Sequence, residues 1–108
     1  ATPTAIPADY YDAVGARWSE LVIFTEIGWL AAPSPPYPGS ESDQAAFVDL
    51  FFDRTQSLTL GYVAWLFLHD WDQEALIPSI AGVGLRSNSG LTVRTSDMAW
   101  RAAVSLRE

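Results

Sequence analysis

The chain has 108 residues, 49% of them hydrophobic and 13% aromatic, and its 13 acids against 6 bases give a net charge of -7. That range suits one globular domain and is the opposite of the low-hydrophobicity, high-charge signature of disorder. The chain has no Lys and only scattered Arg, which removes the clustered positive charge that a nucleic-acid partner needs; it has no Cys, which removes a disulfide framework, a thiolate nucleophile and a Cys-ligated zinc site.

The N-terminus, Ala1-Thr2-Pro3-Thr4-Ala5, has neither Met nor the basic and apolar regions of a signal peptide, and it reads as a cut or processed end. The compartment is left open, extracellular or periplasmic included. Ile6-Pro7-Ala8-Asp9 places Pro and an acid at a helix start, and Tyr11, Val14 and Trp18 follow at helical spacing, which predicts a helix over 7–19. Leu21-Val22-Ile23-Phe24-Thr25 is β-branched and aromatic and predicts a strand, with Glu26 at its C-terminal end. Residues 31–39 hold four of the 7 prolines and form a loop. Ser40 and Asp43 stand at capping-box spacing before a helix of about 41–57, whose apolar stripe includes Phe47, Leu50 and Phe51.

Leu60 to Leu68 is a second strand, and polarity returns abruptly at His69-Asp70-Trp71-Asp72. The longest clean apolar run, Gly61 to Leu68, is far below the roughly 18 to 20 residues of a membrane-spanning helix, so no membrane partner is expected. Asn88-Ser89-Gly90 reads as a tight turn, and Thr95 or Ser96 caps a last helix with Trp100, Ala103 and Val104 on one side. The order helix, strand, helix, strand, helix implies α/β architecture with parallel strands. Two such strands leave apolar edges and faces unprotected, so further strands are expected from an upstream segment, another copy of the chain or a partner.

In α/β folds functional groups collect at the carboxyl ends of strands. Strand alternation predicts Val22, Phe24 and Glu26 on one face of the first strand and Val63, Trp65, Phe67 and His69 on one face of the second, bringing Glu26 and His69 to the same mouth. A carboxylate closing an apolar strand is costly to bury without partners and marks a candidate site. A lone His with nearby acids lacks the three or four convergent ligands of a zinc site, so no metal is expected. His69 is either a hydrogen-bonding site residue or a solvated loop His, and Asp70 and Asp72 read as ordinary loop acids. The chain has no G-x-x-x-x-G-K, no G-x-G-x-x-G and no G-x-S-x-G pattern, which leaves no nucleotide cofactor and no serine elbow.

Phe24-Thr25-Glu26-Ile27-Gly28-Trp29 resembles the T-E-x-G-W segment that ends the seventh strand of clan A retaining (β/α)8 glycosidases, endo-galactanases and β-1,3-glucanases among them. Gly61-Tyr62-Val63-Ala64-Trp65-Leu66-Phe67 resembles the eighth strand, and Gly84-Leu85-Arg86 through Gly90 to Ala99-Trp100 is similar to the ending before the final helix. The resemblance implies a partial (β/α)8 (TIM) barrel, with 1–108 as the C-terminal segment carrying the last two βα units and the remainder outside this chain. By the same likeness Glu26 is the nucleophile, Trp65 the floor under the bound sugar, and the acid/base an Asn-Glu pair after a fourth strand. Trp65 also reads as a buried strand residue filling the core. His69, Trp29, Tyr37 and Trp71 are the further candidates to line a carbohydrate cleft, although Trp29 has the wrong strand parity for a barrel interior. The alternative is a noncatalytic carbohydrate-binding or assembly fragment that keeps the aromatics and does not need Glu26.

Overall fold

A computed structural model describes residues 2–70, 82–87 and 92–107. A 3-10 turn, Pro3–Ala5, precedes helix α1 (Asp12–Gly15), strand β1 (Val22–Ile27), helix α2 (Glu41–Arg54), strand β2 (Leu60–Trp65) and helix α3 (Thr95–Ser105). The expected alternation of helix and strand holds, and β1 pairs with β2 in parallel. The described residues thus form a small α/β unit in which the helices cover one face of a two-stranded sheet.

The first helix is shorter than its pattern predicts. Tyr10, Val14 and Arg17 donate to the carbonyls three residues back, so most of 7–18 is a run of tight turns with only one α-helical turn inside it. Tyr11 at the N-cap offers no capping side chain, and a helix this short gains few hydrogen bonds against the cost of nucleating it. α2 begins where expected, with the Ser40 hydroxyl accepting from the Asp43 N–H at 3.0 Å and with Glu41 and Asp43 at the positive end of the helix dipole.

The core forms where α2 lies on the sheet. Phe47, Val48, Phe51 and Phe52 are buried with Tyr11 and Leu58, and Val22, Phe24, Ile27, Val63 and Trp65 close over them from the strands. The rings interlock edge to face, Phe24 against Phe51 at 5.1 Å and Tyr11 against Phe51 at 5.3 Å, a geometry favoured by the ring quadrupoles. α3 completes the layer through Trp100, 5.3 Å from Phe52. The other side of the sheet is apolar and open: Ile23 is 56% exposed, Tyr62 opposite it 58%, and Leu21 61%.

Strict alternation fails at the end of β1. The register slips between Phe24 and Ile27, so Phe24 and Ile27 both face the helices while Thr25 and Glu26 are both exposed. An extra residue in one strand of a pair re-aims the side chains beyond it. Glu26 therefore does not share the face of Val22 and Phe24. The second strand is also shorter than its apolar run, because 67–70 leaves the sheet and pairs with 85–86: Leu85 and Arg86 donate to Phe67 and Leu68, and Asp70 donates back to Arg86. The expected Asn88-Ser89-Gly90 turn lies outside the described residues, and among those described no helix is long and apolar enough to cross a membrane.

Burial lifts the Tyr11 hydroxyl above the ordinary tyrosine value, neighbouring Tyr10 adds to the rise and Arg54 opposes it. The fold thus holds the neutral phenol, and this stabilisation is complete below about pH 10 and is lost as pH climbs through the folded value. Tyr11→Phe is expected to lose less stability than the parent between about pH 9 and about pH 11 in urea titrations; a parallel loss would dissociate this phenol from the alkaline transition.

Candidate functional site

Parallel pairing brings the exits of β1 and β2 to one end of the sheet, where the Leu66 N–H donates to the Ile27 carbonyl at 2.9 Å. Glu26 stands there with its side chain exposed. The chain then turns inward. Trp29 stacks on Phe47 at 5.2 Å, and Ala31 donates to the Gly82 carbonyl at 2.8 Å, tying the loop after β1 to the segment that returns from β2. Gly28 permits this approach, since a Cβ there would collide with the buried Val83 side chain.

The returning segment, 82–84, is held by a buried polar cluster. Gln44 on α2 is fully buried, and its Nε2 donates to the carbonyls of Trp29 at 2.8 Å, Val83 at 3.0 Å and Gly84 at 3.1 Å. Its Oε1 accepts from the Ser96 hydroxyl. That bond explains why α3 is capped differently from expectation. Ser96 reaches into the cluster, and the cap position falls to Arg94, whose side chain makes no cap hydrogen bond.

Arg94 grips Asp70 with two hydrogen bonds of 2.6 Å, one to each carboxylate oxygen, and donates a third to the Gly84 carbonyl. Its Nε faces the Glu41 carboxylate at 3.4 Å. Burial by itself pulls the Arg94 guanidinium down; the hydrogen bonds and charge of Asp70, with Glu41 behind them, outweigh that and hold it above the ordinary arginine value. Asp70 also accepts from the Gly84 N–H at 3.0 Å. Asp70 is therefore not an ordinary loop acid, as its sequence context suggested, but half of a largely buried bidentate pair. A second cluster lies beside it, with buried Asp97 accepting from Arg86 at 3.3 Å and from Arg101 at 3.2 Å.

The predicted site residues occupy different settings. Trp65 faces the helices, making edge contacts with Phe47 at 6.1 Å and Trp100 at 5.7 Å, and its indole N–H donates to the Val83 carbonyl at 2.7 Å. Trp29 lies in the same layer through Phe47. Tyr37 is exposed on the tight turn where Ser34 and Tyr37 exchange backbone hydrogen bonds. His69 is exposed, with Nδ1 3.3 Å from the Ser87 carbonyl oxygen. Trp71 and Asp72 lie outside the described residues. Among the described residues no group of three or more His, Asp or Glu is placed to hold a metal ion.

The sequence reading missed Gln44, Arg94 and Ser96. Gln44 and Arg94 carried no sequence signal beyond polarity, which many surface residues share, and Ser96 stood out only as a cap candidate. Comparison with protein-family models, with curated proteins and with solved structures gives no match for this chain. Among the described residues, Glu26 is an exposed carboxylate at the strand end, whereas Asp70 and Glu41 are engaged by Arg94.

Arg94→Ala leaves Asp70 buried without its partner and is expected to cost about 3–5 kcal/mol in urea unfolding. Adding Asp70→Ala should cost little more, because the pair acts as a unit; additive losses would show two independent roles. Gly84→Ala drives a Cβ into the backbone of His69 and Asp70 and should cost about 1–3 kcal/mol by the same measurement.

Proposed function

We propose that this chain supplies the nucleophile of a retaining β-glycosidase, as the last two βα units of a (β/α)8 barrel acting on β-linked polysaccharide of the galactan or glucan type. The observation that carries the reading is the position of Glu26. It closes β1 within Thr25-Glu26-Ile27-Gly28-Trp29, is solvent-exposed, and is turned by the register slip away from the helix-covered face. In a barrel the face away from the helices is the interior, and the carboxyl end of the strands is the mouth.

In this mechanism a Glu26 carboxylate oxygen attacks the anomeric carbon as the bond to the leaving oxygen breaks, and an acid from another strand protonates that oxygen. The same group then deprotonates a water, which attacks the anomeric carbon and releases the Glu26 carboxylate. A retaining pair stands roughly 5 to 5.5 Å apart. Asp70, whose two oxygens accept three hydrogen bonds from Arg94 and Gly84, is committed to structure, which supports an acid/base contributed from outside this chain. The packing of Trp65 favours its core reading over the sugar floor. Among the described candidates, Tyr37 and His69 are the exposed ring-bearing ones for sugar contacts.

The second reading, an assembly or carbohydrate-binding fragment, is favoured by the open apolar face of Leu21, Ile23 and Tyr62. A dinitrophenyl 2-fluoro glycoside separates the two, because its leaving group departs without protonation and so bypasses the missing acid. The expected result is a covalent adduct on Glu26 by peptide mass spectrometry, from the chain alone or combined with the polypeptide supplying the other strands, and none in Glu26→Gln. No adduct from a folded mixture sinks the nucleophile role. Under both readings the bare face should drive association of the isolated chain, and Ile23→Lys with Tyr62→Lys should shift light scattering toward monomer.

A further inference from the structure

We infer that Gln44 is a positioning residue for Glu26, acting through the backbone of the loop after β1; this rests on the nucleophile reading of Glu26. Among the described residues the Glu26 side chain makes no hydrogen bond or ion pair that would hold its strand end in place. What holds it is behind it. Three residues on, the Trp29 carbonyl accepts from Gln44 Nε2, and the same nitrogen reaches Val83 and Gly84, so one amide clasps the loop after β1 to the segment that returns after β2.

The amide itself is oriented. Ser96 donates to Oε1, which fixes which end of the Gln44 side chain carries the N–H groups. Val83, once clasped, abuts Gly28, and Gly82 accepts from Ala31. Residues on both sides of Trp29 are therefore seated on a segment whose position Gln44 sets. Leu66 donating to Ile27 completes the linkage on the strand side. A displaced exit would move the carboxylate relative to an anomeric carbon bound by the rest of the site, and misplacements of about 1 Å cost rate more than affinity.

The test compares Gln44→Met, which keeps the length of the side chain and removes its hydrogen bonds, with Val48→Ala, a core truncation on the same helix at a side chain that makes no hydrogen bond to the three carbonyls. Both are studied at a temperature where melting curves show them folded. In Gln44→Met the Ala31 and Leu66 amides should exchange with deuterium about tenfold faster or more, and the rate constant for Glu26 labelling by the dinitrophenyl 2-fluoro glycoside should fall about tenfold or more with the dissociation constant of the reagent unchanged. Val48→Ala should lower the melting temperature and change neither. Both readouts unchanged in Gln44→Met, or both reproduced by Val48→Ala, overturns the inference. If Gln44→Met does not fold, Ser96→Ala releases the amide from its anchor and is held to the same two readouts, with smaller shifts in the same direction. If the parent takes no label, the nucleophile reading of Glu26 fails by itself, and the exchange of Ala31 and Leu66 alone decides whether Gln44 positions the strand exit.

Discussion

A primary amide sealed inside an aromatic core must find hydrogen-bond partners there, and the organisation of this molecule at its strand ends follows from how Gln44 does so. Its two N–H groups are shared among three carbonyls and its oxygen is met by Ser96. Those four partners lie in three parts of the chain: the loop after β1, the segment returning after β2, and the first turn of α3. The demand of one side chain for satisfaction thus gathers three segments that local propensity would leave independent.

The Arg94–Asp70 pair finishes the same work one layer further out. A guanidinium that is 7% exposed and a carboxylate that is 14% exposed would be expensive in isolation, and the bidentate geometry with added bonds to Gly84 is what makes the burial tolerable. Such a pair specifies more than it stabilises. It admits only one placement of Asp70 against α3, and through Gly84 it fixes the segment on which Gln44 also acts. The strand ends are tied by hydrogen bonds on their helix side, while Glu26 is exposed.

Two kinds of surface result. On the helix side of the sheet the aromatic residues are consumed by packing, Trp65 included, because an indole whose N–H is bonded to Val83 and whose edges meet Phe47 and Trp100 already has its partners. On the other side Ile23 and Tyr62 remain in water. A parallel sheet with one bare apolar face is an unfinished burial, which under either proposed reading other strands or another surface would cover.

Local patterning alone determined the order of helices and strands, the start of α2 at Ser40 and the placement of Glu26 at a strand terminus, since each depends on residues within a few positions of one another: a cap and its N–H, a β-branched run, a polar break. The first helix came out shorter because turn geometry at Pro7 to Arg17 competes with a helix too short to nucleate. The direction of Glu26 was decided by pairing, because a register slip is a property of two strands and leaves no mark in one. The partners of Gln44 and Arg94 were decided by the fold as well. Gln44 meets Gly84 across 40 residues and Arg94 meets Asp70 across 24, and no periodicity or propensity reaches that far. Burial of a polar group becomes visible only when the packing that removes its water is in place.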